Sequence, residues 1–226
     1  MGDPVFSHRW RRRPSAQTPV PEAAPTLRVD EDAWAAMDPE ARVEAVVAML
    51  SDGTTASPTS LRGLSDQAIQ EVTLDQDAPL GAAYRLFLEL IGGGAGRFLQ
   101  GSDAFHPDVI GLREAAVELL TENDVSFSLS HSDRVIFMHQ GYCFDFLRGA
   151  EPDPEVWSYT EGDPSSAGPS RTASSFTEWL RAHAEEQTEA WARLVPWYEA
   201  EKRKKPRDRR IYFTKRLPDG THVDEL

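Results

Sequence analysis

The chain has 226 residues, 40% of them hydrophobic and 27% charged, with a formal net charge of −13 and a single cysteine, Cys143. That length and composition fit a soluble globular protein and exclude a disordered or collagen-like chain. No apolar run approaches the roughly 20 residues that span a bilayer, and one cysteine excludes an intrachain disulfide framework and cysteine-cluster metal sites.

The charge is unevenly divided. Residues 202–216 carry +8, residues 1–13 carry +3 and residues 217–226 carry −3, which leaves −21 for residues 14–201. So acidic a body repels nucleic acid and anionic lipid and attracts basic proteins. Solubility is the plainer use of the same charge.

Residues 1 to about 28 hold Pro4, Pro14, Pro19, Pro21 and Pro25 among few apolar residues and read as a flexible arm. Its cluster Arg9, Arg11, Arg12, Arg13 is followed by a Pro/Ala/Thr-rich stretch rather than an apolar signal core, so the expected location is the cytoplasm. At the other end, Val223 stands where an ER-retention tail has Lys or His.

The first helix should start at Asp38, a good N-cap, followed by Pro39 at the first helical position and Glu40 at the positive helix end. Val43, Val46, Val47 and Leu50 give it one apolar face, Gly53 lies where a C-terminal cap would sit, and Trp34 and Met37 belong to a lead-in turn. Ser65 can cap a short helix carrying Ile69 and Val72. The next helix, GAAYRLFLELI, again places Tyr84, Phe87, Leu88 and Ile91 at helical spacing and stops at Gly92-Gly93-Gly94.

The glycine run GGGAGRFLQG lacks the Lys-Ser/Thr pair of a phosphate loop and the third glycine of GxGxxG, and it follows a helix rather than a strand. It reads as a tight helix-to-strand turn, with RFLQ as a short strand and SDAFHPDVIG as a loop. GLREAAVELL is a helix with Leu112, Ala115, Ala116 and Leu119 inward, and FSLS is a short strand or the approach to one.

VIFMHQ and YCFDFLR then form a β-hairpin across Gln140-Gly141, and EVWSY is a third strand. EGDPSSAGPSRTAS is a loop, and Ser175 with Glu178 fits a capping box before a helix that buries Phe176, Trp179, Leu180 and His183. That helix runs toward Pro196, which should kink or end it. A charge run and a second hairpin across Asp219-Gly220 close the chain. The expected organisation is an arm over 1–30, an α+β domain over 31–185 with one mainly antiparallel, twisted sheet packed against several helices, and an extension over 186–226 of helix, basic run and hairpin.

An ordered series of segments carries a family resemblance: PLGAAYRLFLELIGGGAG, SDAFHPDVIGLREAAVELL, VIFMHQGYCFDFLR, EVWSYTEG and SSFTEWL. In this order and spacing, over roughly residues 60 to 185, the chain resembles the SUKH superfamily, the fungal cell-wall-assembly-regulator (SMI/KNR) family. One departure is Pro79-Leu80, where the usual pattern has Leu-Pro before the tyrosine of the aromatic helix. The resemblance implies an α+β fold without known enzymatic machinery or cofactor. Bacterial members resemble immunity proteins that neutralise polymorphic toxins, many of them nucleases, and fungal members resemble regulatory interaction proteins. The expectation is therefore a non-enzymatic protein-binding domain, an immunity protein occluding a basic toxin domain, with a regulatory or housekeeping interaction protein as the alternative.

Enzymatic readings fare worse. Cys143 with His139 would need a lowered thiol pKa and an orienting third group, whereas a lone cysteine in an apolar strand is usually a small core residue. His131, Asp133 and His139 lack metal-ligand spacing. Asp103, His106 and Asp108 crowd one loop: as chemistry they would be an acid–base group, as structure they serve turns and caps, and within the resemblance they border the sheet and help shape a partner surface.

Glu151, Asp153, Glu155, Trp157, Tyr159, Glu161 and Asp163 combine acids with aromatics as an interface does, or form an edge strand with solubilising charges. The basic run Lys202 to Arg210 suits a solvated helix end or a clamp onto the acidic body better than nucleic acid.

Overall fold

The computed structural model describes residues 30–51, 54–163 and 168–205, together with the backbone of two short strands near the C-terminus. Its architecture is α+β. Six helices, α1 (Glu31–Ala36), α2 (Pro39–Leu50), α3 (Asp66–Gln76), α4 (Ala82–Ile91), α5 (Leu112–Glu122) and α6 (Phe176–Lys202), surround a five-stranded antiparallel sheet. The sheet has the order β3 (Ser102–Asp103), β4 (Arg134–His139), β5 (Cys143–Arg148), β6 (Glu155–Thr160), β7 (Ser170–Ala173). A two-residue ladder, β1 (Leu61–Arg62) with β2 (Gly94–Ala95), ties the end of α4 to the chain before α3. β8 (Thr214–Arg216) and β9 (His222–Asp224) form the expected C-terminal hairpin, whose turn lies outside the described residues.

The helix starts follow the caps read from the sequence. Asp38 Oδ1 accepts from Ala41 N at 2.8 Å with Pro39 in the first turn, and Ser65 Oγ accepts from Ala68 N at 3.3 Å. Val43, Val46 and Leu50 are buried, Val47 is half-buried, and Gly53 lies outside the described residues. At Ser175, half of the capping box forms: its Oγ accepts from Glu178 N, while Glu178 Oε1 accepts from Trp34 Nε1 at 2.6 Å. Trp34 also lies under the guanidinium of Arg181, 4.9 Å from the ring centroid, and Arg181 reaches Glu31 on α1 and Glu185 on its own helix. These contacts fasten α1 to α6.

The centre of the core is aromatic. Tyr84 and Phe87 on α4 meet Phe176 edge-on at 5.4 and 5.7 Å, all three essentially without exposure. Each such ring pair adds about 0.5–1.5 kcal/mol beyond simple burial. The hairpin of β4 and β5 pairs Arg134 with Leu147 through to His139 with Cys143 and turns through Gln140 and Gly141, both left-handed at φ 49° and 78°. A glycine suits the second of these positions because a Cβ there is strained. Side chains on β5 alternate between two covered faces. Phe146 meets Phe127, from the segment after α5, at 5.8 Å, while Asp145 on the other face meets Trp179 of α6.

The structure differs from several expectations. RFLQ is not a strand: Gly96, Leu99 and Gly101 all take positive φ, the chain winds through successive turns, and Leu99 N donates to Gln187 Oε1 at 2.7 Å. The sheet strand here is Ser102–Asp103 instead. Residues 125–130, which include FSLS, form no strand themselves and lead into β4, the second of the two readings. Within the stretch read as loop, Ser170–Ala173 forms the fifth strand of the sheet. Its polar, mostly exposed residues give no alternation, and backbone pairing to β6 alone defines it. Pro196 does not end α6, which continues to Lys202. Beyond residue 185 that helix keeps contacts with the rest of the fold: Thr188 bonds Thr55 and Trp191 lies under Arg97.

Candidate functional site

Strand register divides the sequence-derived candidates between the two ends of the sheet. Asp103 pairs with Met138 on the β4 side, while Glu161 N donates to Tyr142 O and Asp163 N to Thr160 O on the β5 side, so the three lie at the hairpin-tip end of the sheet but on opposite sides of the hairpin. Glu151 and Asp153 precede β6 and lie at the opposite end, where Glu155 pairs with Arg148.

The loop after β3 is joined to α3. His106 Nε2 lies 3.3 Å from Glu71 Oε2, and Gly111 N donates to Asp75 Oδ1 at 3.1 Å. Asp108 is close enough to Asp103 to help raise that carboxyl's pKa, after the larger effect of its partial burial, with His139 opposing both. Two apolar side chains stand out within this acidic surface: Leu74 on α3 at 69% exposure and Ile110 in the loop at 40%. Tyr142 at the tip is exposed as well.

The candidates of the acidic-aromatic strand have internal duties. Asp153 accepts from both Thr177 N and Thr177 Oγ1, at 2.9 and 2.6 Å, anchoring the first turn of α6. Tyr159 is buried with its ring against Phe144. Trp157 is half-buried under the guanidinium of Arg148, 4.3 Å from the ring centroid, and its Nε1 donates to Glu155. That hydrogen bond, then Arg171, holds the Glu155 carboxyl below its ordinary range. Glu151 is exposed.

A cleft of about 450 Å³ lies on the other side of the hairpin tip, between β4, β5, β6 and α6. Phe137, His139, Cys143, Asp145, Trp179 and His183 line it. Burial, the largest effect, raises the Cys143 thiol pKa, against a hydrogen bond with Thr160 and a weaker one with Ser158, and with the Asp145 charge adding to the rise, which is the reverse of what an activated nucleophile needs. His139 Nδ1 shares a hydrogen bond of 2.8 Å with Ser102 Oγ. Among the described residues no group of three or more His, Cys, Asp or Glu side chains could hold a metal ion, and no helix is long and apolar enough to cross a membrane.

Sequence reasoning missed Glu71, Leu74, Asp75 and Ile110 on the surface and Asp145 in the cleft as members of one region. Leu74 lies off the Ile69–Val72 stripe, and Asp145 stands between Phe144 and Phe146 in an otherwise apolar strand. Either signal could have marked them. Comparison with curated proteins finds no match. Comparison with family models does: that of the SMI1 / KNR4 family (SUKH-1) matches residues 63–182, from the approach to α3 through the first two turns of α6. That span covers more than half of the chain and includes the loop after β3, the hairpin and all of the main sheet, so the chain belongs to the SMI1 / KNR4 family (SUKH-1).

Proposed function

We propose that this protein is a non-enzymatic binding domain of the immunity-protein type, which neutralises a basic toxin domain by covering its surface. The observation that carries the reading is the acidic face formed by α3 and the loop after β3, where His106 meets Glu71 and Gly111 meets Asp75, Asp103 and Asp108 stand in the same loop, and Leu74 and Ile110 are exposed. Like charge of this density steers a basic partner into encounter, and the apolar side chains supply affinity once water is expelled. Family membership supports a protein-binding role, and the burial that raises the Cys143 thiol pKa supports the non-enzymatic part of the reading.

Affinity capture of the product of the adjacent gene tests it. Binding that weakens with salt and falls with Asp103→Lys or Asp108→Lys is expected. No binding at low salt, or hydrolytic activity that His106→Ala or Cys143→Ala abolishes, would overturn it.

A further inference from the structure

The cleft beside α6 contains a buried carboxyl group with no lysine or arginine beside it. Asp145 is only 6% exposed, and its Oδ2 accepts from Trp179 Nε1 at 2.8 Å, with Ser158 as a second hydrogen-bond partner. A carboxylate offers about four lone-pair positions, so these two donors leave room for another. Lysine and arginine are absent from the cleft lining. Burial lowers the pKa of His183, against the pull of Asp145 and Glu186, and burial raises that of Asp145, so the fold favours the uncharged form of both, and a cation entering the cleft would favour the carboxylate.

The walls are rings. Phe137 lies nearly parallel to His139 at 6.5 Å and to His183 at 5.9 Å, and Trp179 is 4.5 Å from His183. Aromatic faces attract cations and shed water from methylene groups, and a buried carboxylate lacking a counter-charge favours a cation beside it. At about 450 Å³ the space lies within the roughly 300–1,000 Å³ of small-ligand sites.

We propose that this cleft receives one cationic alkyl head group, an ammonium or guanidinium, with Asp145 as its counter-charge and the rings of Phe137, Trp179 and His183 around its methylenes. The source is a lysine or arginine side chain of the partner, and this part rests on the protein-binding reading above. The cleft and the Asp103 end of the acidic surface lie near the same hairpin tip, since His139 and Cys143 close the hairpin and Asp103 pairs with Met138 beside them.

The test titrates the full-length protein with n-butylammonium and n-butylguanidinium, with n-butanol as the neutral control. The readout is the indole N–H resonance of Trp179, assigned by its loss in Trp179→Phe. At least one cation should bind with a Kd on the order of millimolar, as expected of so small a ligand. Asp145→Asn should weaken binding about tenfold or more, as loss of a charge-assisted contact does. Ala182→Leu, which fills the cleft from an exposed helix position without touching Asp145, should do the same, so a folding defect in either variant does not decide the outcome.

A resonance unmoved by either cation, equal binding of n-butanol, or unchanged affinity in both variants would overturn the cleft as a cation site. Partner affinity then decides the source. If the partner binds wild type, Asp145→Asn and Ala182→Leu equally, the source is wrong while the protein-binding reading stands. If no partner binds wild type, that reading and this source fall together, and the small-cation titration still decides the cleft.

Discussion

Trp179 Nε1 donates to Asp145 Oδ2 at 2.8 Å, joining the second turn of α6 to the middle strand of the sheet. Both groups are largely buried, so the bond satisfies a donor and an acceptor that have little access to water. Trp179→Phe keeps a ring in place but leaves the carboxylate one donor short. A loss of about 1–3 kcal/mol is expected, or roughly 4–8 °C in Tm at the middle of that range, measurable by calorimetry.

Asp145 also gives the stability of the protein a pH dependence of unusual sign. Burial raises its pKa, against Ser158, Trp179 and His183, so the folded state holds its proton more tightly than the unfolded state. The stabilisation from that proton is complete below the ordinary aspartate pKa of about 3.9 and is lost as pH rises through the raised folded value. His183, whose pKa burial lowers, acts oppositely: its contribution is complete above about 6.5 and is lost as pH falls through the lowered value. Asp145→Asn removes the first effect. Its Tm should exceed that of wild type at pH 7, and the difference should shrink toward pH 4; a constant difference across thermal melts would contradict this.

Arg134, wholly buried at the start of β4, donates to the carbonyl oxygens of Val72, Thr73, Ala78 and Pro79. These belong to the end of α3 and the chain before α4, so one side chain satisfies helix-end carbonyls that the backbone cannot. Arg134→Met matches its length but orphans those carbonyls together. A loss of more than about 3 kcal/mol is expected, read as a fall in the urea midpoint with little change in slope.

The acidic surface should behave differently. Asp108 and Glu161 are exposed, so Asp108→Lys and Glu161→Lys should each change stability by no more than about 0.5 kcal/mol. The same variants should slow association with a basic partner, and the effect should fade as salt rises. Stopped-flow association at two ionic strengths checks both halves.

Elements defined by local chemistry were legible in the sequence. Asp38, Ser65 and Ser175 mark helix starts that the backbone uses, and Tyr84, Phe87, Leu88 and Ile91 form the buried face of α4 as their spacing requires. Elements defined by distant partners were not. Ser170–Ala173 is a strand only because β6 presents an open edge, and the chain after Gly96 turns because α6 supplies Gln187 to Leu99 N. The candidate site divides the same way. Asp103, His106 and Asp108 were visible as one loop, but their union with Glu71 and Asp75 needs the packing of α3. Tyr159, an aromatic among acids in sequence, faces inward because it pairs with Phe144 across the sheet.

The central claim is that an acidic, non-catalytic surface binds a basic protein partner. The most direct measurement is the Kd for the product of the adjacent gene by calorimetry at about 50 mM and about 500 mM salt, conditions between which surface electrostatics are largely screened. Binding at low salt that weakens at least about tenfold at high salt, and weakens similarly with Asp108→Lys, is the expected result. No binding at low salt, or binding indifferent to both salt and Asp108→Lys, would contradict it.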